Sequence, residues 1–577
     1  MVKKLLAVGL AFIYSFLYVL IGPMTKQQDI DWKISLIPAF LICFLICTAI
    51  NYLFLIFLPN REFKFIKKMN ETLSTVFGKL SDWKLFLIFW AFIVLMWIPA
   101  FLLLFPGIFS YDMINQTYSA LYGITDNHHP VLHNWLIGVF LRIGNRFFGD
   151  YGVGLGFLSL LQVIILSYAL ARLVMLLKKK GVPALVVLLT EFGSALWFMN
   201  ACLAVTMIKD TLHAAFLVLF ACHFVEIATS VSEYIKQKRN YILFPIVSFF
   251  MCAFRNNGLH IYVFCFAVLA LLKLPQIIKY FKNERQNNGT MAKILQRFIP
   301  LLLVIILPVV GFSLYKGPFF KAMGIEQGQI REALCIPIQQ ISRVAVKRES
   351  ELTDVEKAQI GVYLDDLNWM DPPVSRPYNP HFADPAKSCF YSANYEADPL
   401  AFWKFYIKLG LAYPSEYVEA FLSNTLGYWY PGYYGFSYVM IENYSSDSFA
   451  VPLMRKSILN LEWLDAIYKS LCGSEIWRQI WGIRLFFVPA YAPWILIYAL
   501  ILSWRKKRYL SDIVPMFLPC IAQLGIMFLS PMSSFRYSWP FFLLMPILFI
   551  GIFCSRAKLF VAYATRARRK NLASRIL

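Results

Sequence analysis

The chain of 577 residues is 59% hydrophobic and 17% aromatic, with only 15% charged residues, a balance that no ordinary soluble domain can enclose in its core. Its formal net charge of +22 is spread over short clusters between apolar runs, which is the positive-inside pattern of membrane proteins and excludes the basic stripe of a nucleic-acid binder. Eleven cysteines form no CxxC pair and no metal-type Cys/His spacing. Cys335, Cys389 and Cys472 fall in a long polar segment, where a disulfide between two of them stays open.

A bilayer core takes about 20 apolar residues per helix, and about twelve stretches qualify. Val2-Lys3-Lys4 and the apolar run to Gly22 resemble a secretory signal, but no small-x-small cleavage site follows, so this run is expected to remain as a first span from Leu5 to Ile21. Ile34 to Leu58 and Leu85 to Phe105 come next, and Arg61, Lys64, Lys67, Lys68 and Lys79 between them predict a cytoplasmic turn and a cytoplasmic amino terminus. Residues 106–150 then lie outside, and Val153 to Leu177 returns to Lys178-Lys179-Lys180. Val182 to Met199, Leu212 to Thr229, Tyr241 to Phe254 and Leu259 to Leu272 follow, with Lys236, Lys238 and Arg239 inside. Lys279, Lys282, Arg285, Lys293 and Arg297 are inside too. Phe298 to Tyr315 leads to an extracytoplasmic domain over 316–481, expected to be mainly helical, in which acids slightly outnumber bases. Ile483 to Ser503, Ile513 to Leu529 and Trp539 to Phe553 complete the membrane part and place Arg505-Lys506-Lys507-Arg508 and the basic tail 556–577 inside. Every basic cluster agrees with this single orientation.

Polar residues clustered at span ends are costly unless they have a role. The large outer loop reads Phe105-Pro106-Gly107-Ile108-Phe109-Ser110-Tyr111-Asp112, with Gln116 following, and later Asp126-Asn127-His128-His129-Pro130 with His133. A helix from Asp112 to Tyr122 puts Asp112 and Gln116 on one face. Pro130 suits the start of a second short helix, Val131 to Phe148. Leu132, Trp135, Leu136, Val139, Phe140 and Ile143 give this helix an apolar stripe, while Arg142, Asn145 and Arg146 make it an interfacial helix and not a span. Asp112 reads either as a general base at an outward-facing pocket or as a helix-cap carboxylate. The histidines read as metal ligands, phosphate-binding groups or proton shuttles, or as residues that fix a turn. Lys209-Asp210, Arg255-Asn256-Asn257-Gly258 and Ser534-Phe535-Arg536-Tyr537 occupy the other charged outer turns. Together these groups form a plausible site for an anionic lipid headgroup and an acceptor.

With these motifs the chain resembles the GT-C class of integral-membrane glycosyltransferases, which includes the protein O-mannosyltransferases and the aminoarabinose transferases acting on lipid A. Phe109-Ser110-Tyr111-Asp112 to Gln116, His128-His129-Pro130, Lys209-Asp210 and Arg255-Asn256-Asn257-Gly258 look more narrowly like an uncharacterised bacterial family near that class. The resemblance implies a GT-C-like all-α fold, a polyprenyl-phosphate sugar as donor, and Asp112 as base for an acceptor of the cell envelope, be it glycan, lipid or protein. It also implies substrate contacts at Gln116, Asp126, His128, His129, Lys209, Asp210, Arg255, Asn257 and Arg536, with Arg255 the foremost phosphate-binding cation. A divalent cation is possible, although Asp126 or Asp210 only loosely matches the second acid of metal-dependent members.

In the outer domain, Gln339, Gln340 and Arg343 are weak candidates for acceptor contact. Pro414 to Tyr428 predicts an amphipathic helix, and the aromatic run Trp429-Tyr430-Pro431-Gly432-Tyr433-Tyr434 suits membrane anchoring ahead of sugar stacking. A multi-pass transporter or flippase, or a non-catalytic envelope-assembly partner, is the alternative to a transferase. Transporters, however, usually carry their charges near the midplane on broken helices in repeated halves, and no matching halves are found here.

Overall fold

The computed structural model describes residues 2–27, 36–60, 63–109, 112–123, 127–286, 291–326, 328–364, 378–433, 458–459, 461–473, 488–504 and 509–554. Asp126, Arg505-Lys506-Lys507-Arg508 and the tail 556–577 lie outside the described residues. Among the described residues the chain is all α, with isolated bridges in place of any strand. Nine helices among the described residues are long and apolar enough to cross a membrane, and a bent pair would make a tenth. The chain is a multi-pass membrane protein, as its composition requires. Two further predicted spans correspond to the shorter apolar helices Asn240–Phe254 and Tyr491–Ser503.

The predicted span Val182 to Met199 is instead two helices, Ala184–Leu196 and Phe198–Ala204, bent by 51° at Trp197. A break inside hydrocarbon must satisfy its freed backbone groups within the protein. Asn200 Nδ2 donates to the Ser194 carbonyl at 3.1 Å and Trp97 Nε1 to the Ala195 carbonyl at 3.1 Å. Trp539 Nε1 in turn donates to Asn200 Oδ1 at 2.9 Å, so the last span holds the break in place. The bend turns the chain into the non-helical residues 205–208, which lead to Lys209.

The two ends of the span bundle differ in chemistry. At one end Lys178 pairs with Asp82 at 2.6 Å and Lys179 with Glu226, tying three helices together. The Asp82–Leu103 helix carries the chain to the other end, about 33 Å away at 1.5 Å per residue. There the two predicted short helices appear as Met113–Tyr122 and Val131–Phe148, each closed by a glycine in the left-handed conformation, Gly123 at φ 70° and Gly149 at φ 67°.

The buried face of Val131–Phe148 is not its apolar stripe. Val131, His133, Asn134, Ile137, Gly138, Leu141 and Gly144 face inward, while Val139 is exposed. The inward face is favoured because glycines let the helix touch its neighbour. A Cβ at Gly154 of the Tyr151–Lys179 span would strike the Phe140 carbonyl, and one at Gly144 would come within 2.6 Å of the Asp150 carbonyl. Of the apolar stripe only Val139 is exposed, while Leu136 and Phe140 pack against the core and Trp135 packs against Phe319.

The span Leu302–Ala322 runs past the predicted end at Tyr315, through the wider π-helical turn Tyr315–Phe319. Beyond it Cys335–Lys347, Asp354–Tyr363, Pro399–Ala412 and Pro414–Asn424 enclose a separate apolar core around Ile338, Ile341, Phe402 and Leu409. Cys335 is a free thiol, its Sγ donating to the Glu332 carbonyl at 2.9 Å, and the Cys472 side chain lies outside the described residues. Gln339, Gln340 and Arg343 hold this domain together. Gln339 donates to the Asn379 carbonyl at 2.8 Å, Gln340 to the Tyr417 carbonyl at 3.0 Å, and Arg343 pairs with Glu416 at 2.8 Å and with Glu419. Gln340 and Arg343 are therefore scaffold, because their polar atoms are already occupied, while Gln339 Oε1 is buried without a hydrogen-bond partner among the described residues. Trp429 is buried, and the Tyr430 ring lies against Gly22 of the first span.

Gly154→Val should separate the interfacial helix from its span at a cost of about 1–3 kcal/mol, as overpacking does. Purified Gly154→Val protein should unfold in detergent at a lower temperature than the wild type, whereas Gly9→Ala, with open space around its Cβ, should show no loss.

Candidate functional site

Three backbone contacts bring distant segments to one place. Ile108 forms a parallel bridge with Thr206, its N–H donating to the Val205 carbonyl at 3.0 Å. The approach is possible because Gly107, at φ 150°, has no Cβ, and one there would stand 2.7 Å from the Val205 oxygen. This contact sets Asp112 beside Lys209. Asn127 N–H donates to the Glu326 carbonyl at 3.0 Å, which sets His128 and His129 beside the segment carrying Arg331. Phe382 bridges Met532, and Ala383 N–H donates to the Pro531 carbonyl at 2.8 Å, which sets Asp384 and Lys387 beside Arg536. The 530–534 turn is clamped further by Tyr428, whose hydroxyl donates to the Met532 carbonyl at 3.0 Å and accepts from Ser534 N–H at 3.0 Å.

The result is a cavity of about 300 Å³, at the small end of ligand sites. The membrane part supplies Asp112, His128, His129, Lys209, Arg536 and Tyr537. The polar domain supplies Arg331, Glu332, Asp384, Lys387 and Ser388.

Asp112 Oδ2 lies 2.9 Å from Lys209 Nζ and 3.1 Å from Arg536 Nη2. Behind them Arg536 Nε is 3.1 Å from Asp210 Oδ2, and Arg255 pairs with Asp210 Oδ1. Tyr537 presents its ring to both guanidinium groups, with centroids 4.9 Å from Arg255 and 5.0 Å from Arg536. Burial pushes the Asp112 carboxyl up, but Lys209 and Arg536 outweigh it and hold the group well below its ordinary value, so it is ionised.

Lys209 Nζ also lies 3.1 Å from His129 Nδ1. An ammonium has no acceptor, so Nδ1 must accept and the proton of the neutral ring sits on Nε2. Burial, with Lys209 adding to it, lowers His129 to about 3. His129 is therefore neutral at pH 7 and offers an N–H in place of a positive charge. His128 packs edge-on against it, with ring centroids 4.6 Å apart.

Several predicted site residues stand elsewhere. Gln116 is fully buried and donates to Asn134 Oδ1 at 2.8 Å and to His133 Nδ1 at 3.0 Å, pegging the two short helices together outside the cavity lining. Asp210 and Arg255 form a layer behind the wall, and Asn257, at the start of the next helix, does not line the cavity. Lys209 and Arg536 line the cavity, and Arg255 does not. Among the described residues no group of three His, Cys, Asp or Glu side chains could hold a metal ion, and Asp112 is already paired with two cations.

Arg331, Glu332 and Lys387 were not foreseen. Lys387 Nζ lies 2.7 Å from Glu332 and 2.6 Å from Asp384, an ion triad facing the membrane-side groups. In the sequence these residues look like ordinary solvated charges, and only the contacts at 127/326 and 382/532 reveal their place.

Residues 122–570 match a family of unknown function, DUF6020. The chain belongs to that family. The DUF6020 match takes in every cavity residue except Asp112, which lies just before it. No curated protein and no solved structure matches the chain.

The acid sensitivity of the site has a definite sign. His129 and His133 are both lowered from 6.5 to about 3, by burial and then by Lys209. Between those values the unfolded chain binds protons that the folded chain does not, so stability falls as pH falls, by up to about 1.4 kcal/mol per pH unit for each group. Asp112, held low, adds loss in the same direction at the acid end. Thermal unfolding followed from pH 7 to pH 4 should show a falling midpoint, and His129→Gln should make the fall shallower. An equal slope in the variant would contradict the neutral buried imidazole.

Proposed function

We propose that the protein is a GT-C-like glycosyltransferase that moves a sugar from a polyprenyl-phosphate donor to an envelope acceptor at the extracytoplasmic face. The observation that carries the reading is the cavity at the span ends where Asp112 meets Lys209 and Arg536. The cavity lies at the end of the bundle opposite Lys178-Lys179-Lys180, and positive clusters favour the cytoplasm, which supports an extracytoplasmic cavity side. About twelve spans, with both termini cytoplasmic, complete this reading.

The chemistry follows from charge. The acceptor hydroxyl attacks the anomeric carbon while the bond from that carbon to the phosphate oxygen breaks, and the electron pair leaves with the phosphate. Asp112 takes the hydroxyl proton. Lys209 and Arg536 stabilise the leaving phosphate, and the neutral His129 can donate its Nε2 proton as a hydrogen bond. A single displacement inverts the sugar configuration. The acceptor enters from the side of Glu332, Asp384, Lys387 and Ser388, whose carboxylates, ammonium and hydroxyl suit a hydroxyl-rich molecule.

A second reading, transport of an envelope precursor, is favoured by Glu191. It is buried on the bent helix pair, and neither carboxylate oxygen has a partner among the described residues. Intramembrane acids on broken helices mark transport and proton paths.

Cells lacking the protein and re-supplied with wild type or Asp112→Asn at matched abundance distinguish the readings, with envelope glycans and polyprenyl-linked sugars profiled by mass spectrometry. The transferase reading expects one sugar decoration to vanish and its lipid-linked donor to accumulate. Wild type should restore both, and Asp112→Asn should run at least about 100-fold slower, as expected for loss of a general base. Full restoration by Asp112→Asn removes the base assignment. An unchanged glycan profile, with a phenotype that follows Glu191→Gln, moves the reading to transport.

A further inference from the structure

The cavity lining holds four cations against three carboxylates, the Glu332–Lys387–Asp384 triad included, an excess of one positive charge. From Lys209 through Asp112, Arg536 and Asp210 to Arg255 the ion pairs alternate in sign and end on a cation at both ends, so three cations share two carboxylates. Arg331, on the facing wall, is half-buried and has no ion-pair partner among the described residues. His129 adds a buried Nε2 with no hydrogen-bond partner, on a residue that is 5% exposed. Positive charge and a spare N–H donor, gathered in water-poor surroundings, call for an anion with several acceptor oxygens.

Asp112 occupies the position such an anion would take. One oxygen, Oδ2, serves both Lys209 and Arg536. A phosphate carries more charge and more acceptor oxygens than a carboxylate, so it outcompetes a single carboxylate oxygen for these two donors.

We infer that Asp112 is a placeholder for a phosphate, which on binding takes Lys209 and Arg536 from it and is gripped from the opposite wall by Arg331. This deepens the transferase reading and rests on it for the identity of the lipid. The exchange has a chemical consequence. Asp112 clamped by two cations is a weak base, and Asp112 released from them regains basicity beside the incoming acceptor. The donor phosphate therefore switches on the base, and the donor must bind before the acceptor reacts. Until the phosphate is seated the carboxylate stays paired, which protects the donor from attack by water.

The same exchange predicts that removing the carboxylate charge tightens binding of the anion, the reverse of what loss of an ordinary structural or substrate-contacting residue does. The full chain in detergent is titrated calorimetrically with inorganic pyrophosphate and, in separate experiments, with a short-chain polyprenyl phosphate. Asp112→Asn should bind about tenfold more tightly than wild type, whereas Lys209→Gln and Arg331→Gln should each bind about tenfold more weakly, the worth of one charge-assisted hydrogen bond. Binding of both probes supports a site for phosphate as such, and binding of the lipid alone supports a headgroup site. Binding of neither by wild type overturns the inference, as does unchanged or weaker binding by folded Asp112→Asn. Should Asp112→Asn not fold, Arg331→Gln on the half-buried wall decides, and unchanged affinity there overturns the inference. None of these readouts depends on sugar transfer, so failure here leaves the glycan profile as the separate judge of the transferase reading.

Discussion

Five charged side chains from four separate turns form one line of alternating sign, Lys209, Asp112, Arg536, Asp210 and Arg255. Each turn sits at the end of a membrane helix, so the line joins four helices at one level. Asp210 is fully buried and the Arg536 side chain is 8% exposed. At such burial the pairs add little net stability over an apolar core, yet removal of one partner costs about 3–5 kcal/mol because it strands a charge. The line acts as a register device: these helices can stack in only one relation, and that relation opens the cavity.

The membrane explains why the register is built this way. Lipid gives helices no hydrophobic reason to prefer one neighbour, so small residues and polar contacts must choose. Gly144 and Gly154 bring the interfacial helix against its span, the break at Trp197 is held by Asn200 and Trp97, and Tyr428 clamps the 530–534 turn. Each contact acts on a segment that leads directly to a cavity residue. Packing thereby becomes function: the bend delivers Lys209, the glycines place the helix that follows His128 and His129, and the clamp delivers Arg536.

Much of the membrane architecture was legible because the bilayer imposes a length and a polarity on each span. The second of the two short helices was legible too, from Pro130 and its apolar stripe. The bend at Trp197 was not, because its compensating hydrogen bonds come from Trp97 and Trp539, far away in sequence. The inward face of Val131–Phe148 was not legible either, because the partners of His133, Asn134 and Gly144 come from other segments. Of the candidate site, the turns were correctly singled out, but sequence alone does not separate a wall residue such as Lys209 from one behind it such as Arg255. Gln116 shares a helix face with Asp112 yet turns into the protein to meet His133 and Asn134. Arg331 and Lys387 carried no signal, since their place depends on backbone contacts with Asn127 and Pro531.

The central claim is that a lipid-linked phosphate is held between Lys209 and Arg536 where Asp112 now sits. Electron cryomicroscopy of the full chain in lipid nanodiscs containing a polyprenyl phosphate tests it most directly. The account predicts phosphate density in hydrogen-bond contact with Lys209 Nζ and the Arg536 guanidinium, with the Asp112 carboxylate turned away from both. A headgroup seated elsewhere, with Asp112 still paired to Lys209 and Arg536, would contradict it.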